Sequence, residues 1–555
     1  MTDEKRGGDY VYEALVDAGV DLLVGIPGTQ TLPLDRTVVE RDEMTYVMAR
    51  HETAVPHVAW GYYESGGGVA ATLTVPGPGD TNAMHGLKNA LEDCVPVLHV
   101  SADVNPEDRG RGPIHEIEAD TFDNAVKENV TVETALELPA ELARGVATAL
   151  EPPYGPVRLG VPSRILDESF RAPAAEVSPE RTRWDTDPDV DAAVRALADA
   201  ERPVVYVGGG ARRSPGGPEA VRALAADLDA PVIASYKGKG VFPEDDPRFL
   251  GVTGSHAPEG ARRVLDRADV VIALGTDFDG VTTAGWSLPM GDRLIHVTLD
   301  SAAVDASYEA DVVVLADVAD AVATIRADLD GANGWNGGDV ASAVREEYRE
   351  SLAARGLFED EAPLNTPGVL DGVRESIPRD AVVTVDVGGF RLWAMQAFPA
   401  YEPDAFVAAG SWAGMGVGLP AAVGARFANP DRPVVCLTGD GGLMMCVHEL
   451  HTAAEYDLDV TVVVSNNADY GVISKSPKIE RYTEGHRFTW KSPDFAAVAE
   501  GFGCRGTRVE SLDGLRAALA DAVGRDGPDL IDVPIETDEP SAAQAADYES
   551  TLDLP

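Results

Sequence analysis

The 555-residue chain predicts an α/β protein of three doubly wound parallel-sheet domains, on three observations. Short apolar runs such as Val434–Leu437 and Val460–Val464 are β-branched and nearly uninterrupted, the pattern of strands covered on both faces. Between them Leu443, Val447, Leu450, Ala453, Ala454 and Leu458 recur at helical spacing, so the unit reads strand, helix, strand. The same rhythm returns in three blocks, and 555 residues exceed what one core of roughly 150 residues holds.

The first block, 1–170, begins with a helix over 10–18 and a strand over 21–26 that runs into the turn Pro27-Gly28-Thr29. Tyr46-Val47-Met48 leads to Arg50-His51-Glu52-Thr53-Ala54 and a helix. A strand over 69–74, the turn Pro76-Gly77-Pro78-Gly79-Asp80, a helix over 81–91 and a strand over 95–100 follow. A stretch rich in Pro, Asp, Glu and Arg, from about 167 to 188, reads as a linker. The second block, 188–330, opens with strand 202–207 into Gly208-Gly209-Gly210, then strands at 231–233, 268–274 and 294–297. A second linker, 331–367, contains Gly331-Ala332-Asn333-Gly334. The third block, 366–540, starts at strand 381–385 and Asp386-Val387-Gly388-Gly389. The acidic tail 541–555 is expected to be mobile.

The net charge of −48, from 45 basic and 93 acidic residues, excludes nucleic acid and anionic membrane as natural partners. Lysine is scarce and arginine carries most of the positive charge. This points to work in concentrated salt, where a Debye length of about 3 Å at 1 M screens the self-repulsion. Cys94, Cys436, Cys446 and Cys504 lack metal-ligand spacing and read as small core residues. The polar start of the chain has no apolar signal core and no apolar span is long enough for a bilayer, so the cytoplasm is expected.

The chemistry concentrates where strands 434–437 and 460–464 end, at Gly439-Asp440-Gly441 and at Asn466-Asn467. In a doubly wound unit ligands sit outside the carboxyl ends of the strands. Glycines flanking Asp440 let backbone N–H groups approach an anion, and a carboxylate beside an amide oxygen suits magnesium bridging a diphosphate.

That arrangement, with the 24 residues 442–465 between its halves, resembles the cofactor motif of thiamine-diphosphate-dependent enzymes. Arg50-His51-Glu52, Gly77-Pro78-Gly79, Asn82, Gly86-Leu87, Asn89-Ala90 and Val95-Pro96 resemble the pyrimidine-binding domain of acetolactate synthase and its relatives. The resemblance implies thiamine diphosphate and Mg2+ as cofactors, with Asp440, Asn467 and the backbone carbonyl of Asp469 as metal ligands. It implies backbone contacts to phosphate at Gly388, Gly389, Gly439, Gly441 and Gly442. In the run Gly410-Ser411-Trp412-Ala413-Gly414-Met415-Gly416, Met415 would prop the bent cofactor and the Ala413 carbonyl would accept its amino group. Glu52 would activate the cofactor from a neighbouring subunit, which implies a homodimer or a dimer of dimers. The middle block resembles the family's central domain, which holds FAD in some members; whether this chain does stays open, and three glycines after a strand also make any tight turn.

Some substrate-facing positions depart from acetolactate synthases. Ser476 stands where they carry a channel tryptophan, Gly389 and Phe390 replace a Gln-His pair, and His115 replaces a glutamine before Glu116. Thr29 and His115 are the candidate substrate contacts, the imidazole as a proton donor or relay near neutral pH. The expected activity is decarboxylation or carboligation of a small 2-oxo acid such as pyruvate. The alternatives are an FAD-dependent oxidase of the same fold and a non-catalytic regulatory subunit, against which intact Glu52, Asp440 and Asn467 argue.

Overall fold

The computed structural model describes residues 4–173, 190–329 and 334–554. Parts of both expected linkers, 174–188 and 331–333, lie outside the described residues. Three six-stranded sheets are present, and every strand pairing within them is parallel.

In the N-terminal sheet the strands run in the order Thr45–Met48, Leu22–Gly25, Ala70–Thr74, Val97–Ser101, Val157–Gly160 and Glu128–Thr131. The middle sheet is ordered Phe249–Val252, Val232–Ala234, Pro203–Val207, Val270–Leu274, Leu294–Thr298, Val312–Leu315. The C-terminal sheet runs Phe406–Ala408, Val382–Val385, Val434–Gly439, Val460–Asn466, Asp529–Pro534, Arg505–Arg508. The inner strands are buried along their whole length, which explains why they read as unbroken apolar runs rather than alternating ones.

Two sequence expectations need correction. The helix expected across 443–458 is two, Asp440–Cys446 and Glu449–Glu455. The break lets buried Glu449 accept the backbone N–H groups of Arg50 and His51, at 3.0 and 3.1 Å, and so tie the first domain to the third. The tail is docked rather than loose. Ala542, Ala545, Ala546 and Leu554 are buried, and Glu347 accepts hydrogen bonds from the Ser550 hydroxyl and the Thr551 N–H. Its small side chains lie close to the surface they cover, and composition alone does not register that.

The N- and C-terminal domains also meet through helices Ala54–Glu64 and Gly418–Ala428. A Cβ at Gly61 would run into the Ala421 backbone and one at Gly424 into the Val58 carbonyl, so the two helices touch backbone to backbone.

All three domains share one buried charge cluster. Glu64 bonds Arg213 at 2.6 Å, Lys237 at 2.7 Å and Arg212 at 3.2 Å. Asp93 receives Lys237 at 3.2 Å, the Trp60 indole N–H at 3.0 Å and the Gly410 N–H at 3.1 Å. Burial alone would raise the Glu64 carboxyl, but Lys237, Arg213 and Arg212 outweigh it and hold it at about 2. Burial, reinforced by Glu64, pushes Asp93 up. Glu64→Gln would leave three buried cations facing a single carboxylate. Its expected cost is about 3–5 kcal/mol, read as a lower denaturant midpoint with an unchanged slope.

Candidate active site

Strands Val434–Gly439 and Val460–Asn466 are neighbours with Gly439 opposite Ser465, so Asp440 and Asn467 leave the same sheet edge side by side. Asp440 opens a helix, and its buried carboxylate accepts the Gly441 N–H at 3.0 Å and the Ala468 N–H at 2.7 Å, joining the two strand ends. Among the described residues it forms no ion pair, and burial pushes its carboxyl up to about 6. Asn467 turns its amide oxygen onto the Asp469 N–H at 3.2 Å. The Asp469 carboxylate is taken by the Ser474 hydroxyl at 2.5 Å and Arg487 at 2.8 Å, so that residue has its backbone carbonyl to offer rather than its side chain. A single carboxylate with amide and carbonyl oxygens is the hard donor set magnesium takes. Among the described residues no cluster of three His, Cys, Asp or Glu side chains suits a softer ion.

The glycines of the two loops converge on this edge. A Cβ at Gly441 would stand 3.0 Å from the Tyr470 ring and 3.4 Å from the Met415 methyl, which places Met415 beside the Asp440 turn. Gly388 and Gly439 both back onto the Phe390 ring, and Gly389 faces only Val472, at 3.7 Å. Of these four only Gly389 has open space beside it; the missing Cβ makes room for the Phe390 ring at Gly388 and Gly439 and for Tyr470 at Gly441. Gly442 is tighter still, because a Cβ there would lie 2.5 Å from Asp386 and its bareness makes room for that side chain.

Asp386 is the residue that sequence reasoning passed over. Fully buried, it accepts N–H bonds from Val387 at 2.7 Å, Gly416 at 2.9 Å and Val417 at 3.3 Å, and the Thr438 hydroxyl at 2.9 Å. It pins the Met415 loop to the strand that ends in Asp440. An acidic residue at a strand end before two glycines was its only signal.

The N-terminal residues form a second group. Glu52 lies in the turn before helix Ala54–Glu64, where its carboxylate accepts the Asn82 amide at 3.1 Å beside Gly79. Gly77 backs onto His115, whose Nδ1 meets the Gln30 amide at 3.2 Å. Thr29 is exposed, and Gln30, rather than Thr29, meets the imidazole. Glu52 bonds within its own domain; among the described residues none of its hydrogen bonds reaches the Asp440–Asn467 edge.

A cavity of about 220 Å3 opens between the middle domain and its neighbours, with Arg213, Lys237, Asp277, Asp279, Asp300 and Asp317 in its wall. It is smaller than the ~300–1,000 Å3 of ordinary ligand pockets. Arg213 and Lys237 are committed to Glu64 and Asp93, and the remaining charges are carboxylates, which repel a dinucleotide's diphosphate. The Gly208 and Gly210 N–H groups are spent on Leu274 and Gly275 carbonyls at 2.9 and 2.8 Å, and a Cβ at Gly208 would run into the Gly275 carbonyl. Close packing of two turns explains these glycines, and the residues present do not fit FAD.

Comparison with known proteins gives concordant matches. Residues 5–123, 190–325 and 386–533 match the N-terminal TPP binding, central and C-terminal TPP binding domains of the family described as thiamine pyrophosphate enzyme. The chain is 31% identical over 561 residues to an acetolactate synthase large subunit of Parasynechococcus marenigrum, covering 96% of this chain and 88% of the relative. It is 28% identical to the acetolactate synthase isozyme 1 large subunit of Escherichia coli K12, covering 96% and 94%. To a probable acetolactate synthase large subunit of Methanocaldococcus jannaschii it is also 28% identical, covering 96% and 92%.

Proposed function

Since the chain belongs to the thiamine pyrophosphate enzyme family, we propose that it is a thiamine-diphosphate- and magnesium-dependent enzyme that ligates or decarboxylates small 2-oxo acids, as an acetolactate synthase does. The observation that carries this reading is the placement of Asp440 and Asn467 on one strand edge, with Met415 beside the Asp440 turn and the open Gly389 backbone just after the buried Asp386 acceptor in sequence. Bound thiamine diphosphate supplies the electron sink for loss of carbon dioxide.

The chain's own residues hold and orient it. Asp440, the Asn467 side chain and the Asp469 carbonyl take the magnesium, offsetting the cost of settling a diphosphate on a protein of net charge −48. Met415 and the Ala413 carbonyl receive the ring end. Glu52, oriented by Asn82, holds a proton at the pyrimidine ring. His115, steadied by Gln30, faces the substrate as a proton donor.

Glu52 meets the metal edge in a homodimer or dimer of dimers, where a second copy brings the halves together. The exposed Trp412, Met444, Met445 and Ile473 around that edge favour a partner surface there. The unfitting middle cavity disfavours the flavin oxidase. No helix among the described residues is long and apolar enough to cross a membrane, and a cytoplasmic, salt-adapted enzyme is the reading the charge supports.

The test is a panel of 2-oxo acids with thiamine diphosphate and magnesium, at low and at molar salt, with carbon dioxide and ligated products scored separately. Turnover that rises with salt is expected. A chain that takes up no thiamine diphosphate by calorimetry in either condition ends the proposal.

A further inference from the structure

The loop that carries Ala413 and Met415 is gripped by a side chain the scheme above does not use. Trp412 donates its indole N–H to His85 Nδ1 at 2.9 Å, and a Cβ at Gly414 would fall inside the His85 ring. His85 thus meets the kink at Trp412 and again at Gly414. Between these contacts Ala413 has a φ of 48°, a left-handed conformation that residues with side chains keep only when their surroundings hold them there. His85 also shares a cavity of about 350 Å3 with Gly414 and Met415.

We propose that His85 is a positioning residue whose neutral imidazole clamps the Trp412–Met415 loop in the shape that receives the ring end of the cofactor. This rests on the thiamine diphosphate reading. An acceptor at Nδ1 requires the neutral ring with its proton on Nε2. Protonation puts a second N–H opposite the indole N–H, and the clamp opens.

The charged and titratable groups facing the ring come from three elements. His57, on helix Ala54–Glu64, stands edge-on with ring centroids 5.0 Å apart, and burial holds it at about 3. Lys88, on the ring's own helix, pairs with Glu92 at 2.6 Å and lies 5.9 Å over the Trp412 ring. Cys446 and His448 face it across the cavity. Burial lowers His85 itself. Because burial sets the folded ring below the ordinary histidine value of about 6.5, the neutral form, and with it the clamp, is complete above that value and is lost only as pH falls through the lowered one.

Thiamine diphosphate affinity, measured by calorimetry with magnesium at about pH 7.5 and at successively lower pH until the lowered histidine value is passed, tests this. His85→Ala and Trp412→Phe should each weaken binding about five- to tenfold at the higher pH, the scale of one hydrogen bond. His85→Asn, whose amide oxygen accepts from Trp412 without titrating, should bind within about twofold of the wild type. It should also lose the part of the acid-side fall that the wild type owes to the imidazole, leaving only the part that protonation of Asp440 causes. Binding equal to the wild type in His85→Ala and Trp412→Phe, or an undiminished acid fall in His85→Asn, overturns the proposal. Should His85→Ala not fold, the partly exposed Trp412→Phe decides the matter. A wild type that binds no cofactor instead ends the parent reading and takes the clamp with it.

Discussion

Glu52→Gln is expected to bind thiamine diphosphate and magnesium as the wild type does while losing roughly 10²- to 10⁴-fold in turnover, the usual share of a positioned proton-transfer group. The substitution keeps the side chain's length and leaves an amide oxygen to accept from Asn82, now at 3.1 Å from the carboxylate, so the turn before helix Ala54–Glu64 should persist. What disappears is the ability to hold and release a proton. Calorimetric cofactor binding and carbon dioxide release, measured on the same preparation, separate the two effects. Full turnover in the variant would remove Glu52 from the chemistry, and lost binding would recast it as a structural residue.

Asp440→Asn should do the opposite, abolishing cofactor uptake while making the empty protein more stable. A carboxylate and a divalent ion attract by several kcal/mol even at an effective dielectric of about 20, so magnesium-dependent affinity should fall by about two decades or more. The stability gain follows from the sign of the shift. Burial raises the Asp440 carboxyl from 3.8 to about 6, so the folded chain holds a proton there that the unfolded chain has released. Stability is thus lost as pH rises from 3.8 to about 6, and the penalty, of order 3 kcal/mol, is complete above that window. The neutral amide avoids it. At neutral pH the apo variant should melt higher than apo wild type and show no upward shift on adding cofactor and magnesium. A variant that melts lower and still shifts with cofactor would mean that Asp440 is not the metal's anchor.

The sheets were legible because buried parallel strands leave unbroken β-branched runs, as Val460–Val464 does, and that signature is local. Asp440 and Asn467 could be paired from sequence for the same reason, each being the residue just beyond such a run. What escaped was contact between segments remote in the chain. Asp386 acts on Gly416, 30 residues away, and on Thr438, 52 away, and no periodicity marks an acceptor shared by three loops. Glu449 stands where an apparently continuous helix breaks, and its partners, the Arg50 and His51 N–H groups, belong to another domain. The glycines at 208–210 illustrate the converse. A pattern compatible with a dinucleotide has a sufficient cause in the Gly275 turn packed against it.

The backbone contact of Gly61 with Ala421 and of Gly424 with Val58 limits how the enzyme can breathe. Two helices seated that closely have no side chains to slide on, so the first and third domains of one chain move as a single unit. Crosslinking those two helices should therefore leave the catalytic cycle running.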